Sequence, residues 1–137
     1  MLDTDPTKRL RSALRANAYF SAFAALLLLA GDGLVAALLQ AYDALGLIHL
    51  VGFGLAIFAG FVFWLARRER IDPNLTRAVI GLDLLWVAGS VLAIAVGLTS
   101  GQGSGLVGLG AAVVFVVAIA QLQGLRRATA GGILIGR

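Results

Sequence analysis

From Leu84 through Leu125 the chain carries no charged residue. As a single helix this stretch would be roughly 60 Å long, about twice the hydrocarbon thickness of a bilayer, so it must fold back on itself. The break falls at "TSGQGSG", residues 99–105, which is polar and turn-forming. Two further charge-free runs lie between Arg15 and Asp32 and between Asp43 and Arg67. Their length suits membrane-spanning helices. Composition agrees: 60% of residues are hydrophobic and 13% charged, against about a quarter charged in an ordinary soluble domain. The chain reads as one integral membrane domain over residues 1–137, an all-α four-helix bundle with spans near residues 13–31, 47–66, 76–98 and 106–124.

The basic residues orient these spans. Lys8, Arg9, Arg11 and Arg15 precede the first, and Arg67, Arg68, Arg70 and Arg77 join the second to the third. Arg126, Arg127 and Arg137 follow the fourth, so all 11 Lys and Arg fall on one side. The opposite loops carry only Asp32 and Asp43. The positive-inside rule then predicts a multi-pass protein of the bacterial inner (plasma) membrane with both termini cytoplasmic. The net charge of +4 is a topology signal and a contact for anionic headgroups, which argues against nucleic acid as a partner. A cleaved signal peptide is the alternative for the first span. A cut after Ala30 would place Leu28 three residues before it, a poor match to a small-x-small site.

Finer signals organise the spans. Asp5-Pro6 and Asp72-Pro73 are helix starts, with aspartate at the cap and proline at the first helical position. Arg67-Arg68 and Arg126-Arg127 close successive hairpins, a weak hint of a repeated helical hairpin. "LVAALLQAYDAL", residues 34–45, is too short to span. Leu34, Val35, Leu38, Leu39, Tyr42 and Leu45 share one helical face, which predicts an interfacial helix on the outer surface, with a kinked continuation of the first span as the alternative. Small residues recur every four positions: Ala18 and Ala22; Gly52, Ala56 and Gly60; Gly89, Ala93 and Gly97; Gly108 and Ala112. Such ladders let helices approach closely, here within one bundle in preference to a dimer seam, and Gly60→Leu is expected to overpack the contact. Trp64 beside Arg67 and Arg68 is an interfacial anchor.

Asp83 stands alone in an apolar helix, seven residues past Thr76 and so roughly 10 Å in from that end. Asn17 and Ser21 on the first span and Gln121 on the fourth lie at matching depth. A buried carboxylate needs hydrogen bonds or neutralisation, so these four form a candidate ligand-binding or coupling cluster. Trp86, one turn away, could line it. No Lys or Arg lies within a span to neutralise Asp83, which leaves Arg77 or Arg15 to reach it by snorkelling. Intramembrane acids are functional by default, yet a lone acid also serves as interhelical glue, the role we favour. His49 with Asp32 and Asp43 is a weak candidate for metal, because the ligand set is thin and no metal is expected. The absence of cysteine excludes thiolate sites and cysteine nucleophiles. The chain has no phosphate-loop, H-E-x-x-H or G-x-S-x-G pattern. A triad of His49 with Ser90 or Ser21 is disfavoured by depth.

"LRANAYFSAFAALLLLAG", "LDLLWVAGSVLA" and "QLQGLRRA" resemble segments of a diffuse group of small four-span bacterial membrane proteins. The resemblance covers nearly the whole chain. It implies a polar residue, often an amide, at the Asp83 position before "WV", which favours hydrogen bonding over obligatory titration. No activity comes with it.

These features together predict a non-enzymatic membrane protein, without cofactor, that binds a partner membrane protein or a lipophilic molecule. The alternative is a small oligomeric transporter or channel with Asp83 as its proton- or cation-coupling site. Beyond the lipid bilayer, the expected partners are further copies of the chain or a larger membrane complex. Reporter fusions after Arg127 and within residues 67–70 should report the cytoplasm, and one within residues 99–105 the outside. A cytoplasmic signal from residues 99–105 would contradict four spans.

Overall fold

The computed structural model describes residues 6–99 and 101–132, and among them there is no strand. Five α-helices follow one another: α1 Pro6–Ala30, α2 Asp32–Leu39, α3 Leu45–Arg67, α4 Pro73–Ala95 and α5 Gln102–Ala130. A single 3-10 turn, Tyr42–Ala44, leads into α3. The helices α1, α3, α4 and α5 are each long and apolar enough to cross a membrane. At most 28% of the apolar window of any of them is buried inside the bundle. Large side chains such as Phe53, Ile57, Leu85 and Leu98 point outward, as they must where the surrounding solvent is lipid.

Helix ends differ from the charge-free runs for local reasons. At α4, Asp72 Oδ1 accepts from the Asn74 and Leu75 backbone N–H groups at 2.8 and 3.1 Å, with Pro73 in the first turn. This satisfies two of the donors that every helix start leaves open. Pro6 likewise opens α1, while its expected cap Asp5 lies outside the described residues, as do Ser100 of the turn and Arg137. The far end of α4 stops at Ala95, short of residue 98, because Gly97 takes φ 73°. Its N–H donates to Ile94 O at 3.1 Å and that of Leu98 to Ala93 O at 2.9 Å, a Schellman closure. Gly97 is therefore a helix stop and does not belong to a packing ladder.

The short segment after the first span is a separate helix, but α2 ends at Leu39, where Gln40 adopts φ 53°. One side of α2 is buried against the bundle. Val35 and Ala36 pack with Ile48 of α3, and Leu28 and Leu39 close around them, whereas Leu34 and Tyr42 face out. The small Ala36 side lets α2 settle against the neighbouring helices. A Cβ on Gly103 of α5 would lie 3.0 Å from Leu38 O, so α2 and α5 approach closely there.

Side by side, the long helices run in the order α3, α1, α5, α4, with α3 meeting α4 only briefly. No Cα of α1 comes within 8 Å of one in α4 among the described residues. The main core sits at the arginine-rich end, where Leu10 and Leu14 of α1, Val62 and Leu65 of α3, Val79 of α4 and Leu125 of α5 interdigitate. Arg11 staples this end. Its guanidinium donates to Ala66 O, to Arg68 O at 2.8 Å and to Glu69 O at 3.4 Å, satisfying carbonyls where α3 runs out.

Of the ladder glycines only Gly52 makes a close approach, and a second one occurs at Gly124, outside the ladders. A Cβ on Gly124 would lie 3.0 Å from Leu10 Cα, and one added to Gly52 would lie 2.9 Å from the Leu29 side chain. Around Gly60 and Gly89 nothing lies within 4 Å, and Gly108 makes only an ordinary contact with Ile94 at 3.7 Å. The expected overpacking at Gly60 is therefore corrected: leucine there enters open space. Thermal unfolding in detergent should show Gly124→Ala and Gly52→Leu losing roughly 1–3 kcal/mol each, the usual range for overpacking. Gly60→Leu should melt with the wild type, and a loss at Gly60 as large as at Gly124 would contradict this packing.

Candidate functional site

The buried stripe of α1 runs Leu10, Leu14, Asn17, Ala18, Ser21 and Ala25, the three-and-four spacing of one helical face. On α4 the stripe is Thr76, Val79, Ile80, Asp83 and Ser90, and on α5 it includes Val114, Ala118, Gln121 and Leu125. Each of the three stripes thus carries polar residues at one level. Asp83 is 4% exposed, Asn17 2% and Gln121 0%.

At that level the side chains converge. Asn17 Nδ2 donates to Asp83 Oδ2 at 2.6 Å, and Gln121 Nε2 donates to the same oxygen at 3.3 Å. Ser21 Oγ donates to Asn17 Oδ1 at 3.2 Å, which orients the amide that faces Asp83. The structure thus brings Asp83, Asn17, Ser21 and Gln121 together from three helices. It leaves Gln121 Oε1 buried without a hydrogen-bond partner. Arginine does not complete the cluster: Arg77 donates instead to Asn74 Oδ1 at 2.9 Å, and Arg15 is exposed. Asp83 is held by neutral amide donors. Each donor removes part of the desolvation penalty that burial places on a carboxyl group.

Trp86 does not join the cluster. It is 42% exposed, on the outward side of α4. Ser90 Oγ turns back onto Trp86 O at 2.8 Å, a bond internal to the helix.

The metal candidates separate likewise. His49 Nε2 lies 2.9 Å from Asp32 Oδ2, tying α3 to the first residue of α2, while the other Asp32 oxygen accepts from the Gly33 N–H at 2.9 Å. Asp43 does not join them, and no group of three metal-ligating side chains forms among the described residues. Two partly exposed ligands make a helix tie and fall short of a coordination shell.

A second feature lies on the surface between α1 and α3. A groove of about 500 Å³ has a floor of Ala18, Ala22, Ala25, Ala56, Ala59 and Gly60, and walls of Tyr19, Leu26, Leu29 and Phe63. Its lining is almost wholly apolar. Tyr19 and Phe63 meet across one end, edge to face, with ring centroids 6.2 Å apart. Sequence reasoning singled out Ala18, Ala22, Ala56 and Gly60 as packing residues and passed over Tyr19 and Phe63. The usable signal was small residues at four-residue spacing on two consecutive antiparallel spans, which can yield either a tight seam or an unfilled one.

The chain matches no protein-family model, no curated protein and no solved structure.

Proposed function

We infer that the protein is a four-span component of the bacterial plasma membrane, with both termini cytoplasmic and α2 lying at the outer interface. It works by holding an apolar occupant from within the bilayer in the groove between α1 and α3, and it carries out no reaction of its own. The observation behind this reading is the groove: about 500 Å³ bounded by alanines, one glycine, two leucines and two aromatic rings. Small residues on both helices keep the space open, and apolar walls suit an occupant that has no hydrogen bonds to satisfy. The Asp83 cluster is the frame that keeps α4 and α5 in register with α1. His49 and Asp32 anchor α2 across the outer end in the same way.

One observation favours a second reading, a proton-coupled transporter assembled from several copies. Gln121 Oε1 has no partner, and a half-turn of that amide would offer Asp83 an acceptor in place of a donor, as a protonated carboxyl group requires. The discriminating experiment is flux across liposomes containing the purified protein. Under an imposed pH or sodium gradient the wild type should pass no more protons or cations than empty vesicles, and Asp83→Asn should behave identically. Wild-type flux that disappears in Asp83→Asn would replace the groove reading with the coupling one.

A further inference from the structure

The groove has a chemically distinct end. Arg15 lies one turn before Ala18 and Tyr19 on α1, and Arg67 lies one turn after Phe63 on α3. The Arg67 guanidinium sits over the Phe63 ring, 5.6 Å from its centroid. Both arginines are exposed, and neither makes an ion pair or hydrogen bond among the described residues. Two unpaired cations therefore crown the end closed by the Tyr19–Phe63 pair. Arg68 stacks on neighbouring Trp64 at 4.9 Å, a pairing that marks headgroup depth.

Length adds a constraint. From Ala18 to Leu29 the α1 side of the groove rises roughly 16 Å, about half the ~30 Å hydrocarbon core. That length is enough to lay an acyl chain along the groove. Its apolar length and its cationic end describe the complement of an acidic phospholipid of the arginine-side leaflet. The geometry points to a binding site for such a lipid, with an acyl chain along Ala22, Ala25, Ala56 and Gly60 and the phosphate group between Arg15 and Arg67. A partner helix without an acidic end would use the apolar length and leave both guanidinium groups without a counter-charge. Acidic lipid uses both features. This inference rests on the groove reading above and names its occupant.

The test is native mass spectrometry of the full chain, released from detergent with equimolar palmitoyl-oleoyl phosphatidylglycerol and phosphatidylcholine. Two cations at headgroup depth should enrich the anionic lipid roughly tenfold or more on the wild type. Arg15→Gln with Arg67→Gln should abolish that preference, while Arg126→Gln with Arg127→Gln, which removes equal charge from α5, should keep it. Gly60→Leu should lower retention of both lipids, and Ala22→Leu supplies the same obstruction from the opposite helix if the first variant fails to fold. Equal retention of the two lipids by the wild type would overturn the proposal, as would loss of preference in the Arg126/Arg127 variant. If Gly60→Leu still lowers retention in either case, the groove reading survives and only the identity of its occupant fails. If the wild type is instead dimeric and Gly60→Leu makes it monomeric, the groove belongs to a second copy and the lipid site is excluded.

Discussion

The hydrogen bond from Asn17 to Asp83 joins two helices whose backbones do not meet. No Cα of α1 approaches within 8 Å of α4 among the described residues, yet Nδ2 and Oδ2 lie 2.6 Å apart. Between spans in a bilayer the lipid tails are as apolar as leucine, so helices gain little from hiding apolar surface on one another. Association rests on close packing and on polar groups that would otherwise be left bare in hydrocarbon. Asp83 supplies the second kind of contact at the one level where α1, α4 and α5 can all reach it. Ser21 then holds the Asn17 amide, so the tie is positioned from its own helix.

Close packing does the remaining work, in few places. Gly124 against Leu10 draws α5 onto α1, Gly52 against Leu28 and Leu29 draws α3 onto α1, and Gly103 admits α2 to α5. At Gly60 of α3 nothing lies within 4 Å, and the α1/α3 seam opens into the groove. The same residue types therefore produce a tight contact at Gly52 and an unfilled surface at Gly60. The difference lies in what the opposing helix presents: the Leu28 and Leu29 side chains at Gly52, and the alanines Ala18, Ala22 and Ala25 along the groove.

Much of this was legible in the sequence, and the reason is geometric. Helical rise is constant, so counting residues from each span end placed Asn17, Ser21, Asp83 and Gln121 in one layer, and the side chains do meet there. The Asp72-Pro73 start was equally readable, because a cap depends on adjacent residues only. Direction around the helix axis was harder to read. Spans that are apolar on every side carry little periodic signal, so the outward turn of Trp86 and the open setting of Gly60 were not foreseeable. Neighbour order was hidden as well. The short loop at residues 68–72 suggests that α3 and α4 lie side by side, but α1 and α5 intervene between them in the packing order. That order depends on long-range fits such as Gly124 on Leu10, which no local pattern announces.

The central claim is that the Asn17–Asp83 bond holds α4 to α1. A double-mutant cycle on unfolding free energy in detergent micelles, using Asn17→Leu, Asp83→Leu and the double variant, tests it most directly. Each single variant leaves a buried polar partner unsatisfied and should lose roughly 1–3 kcal/mol. The double variant removes both partners at once and should fall short of the summed loss by about 0.5–2 kcal/mol, the range of interhelical hydrogen bonds in membranes. Losses that add to within about 0.3 kcal/mol would mean the two side chains do not couple, and the bundle would have to be held by packing alone.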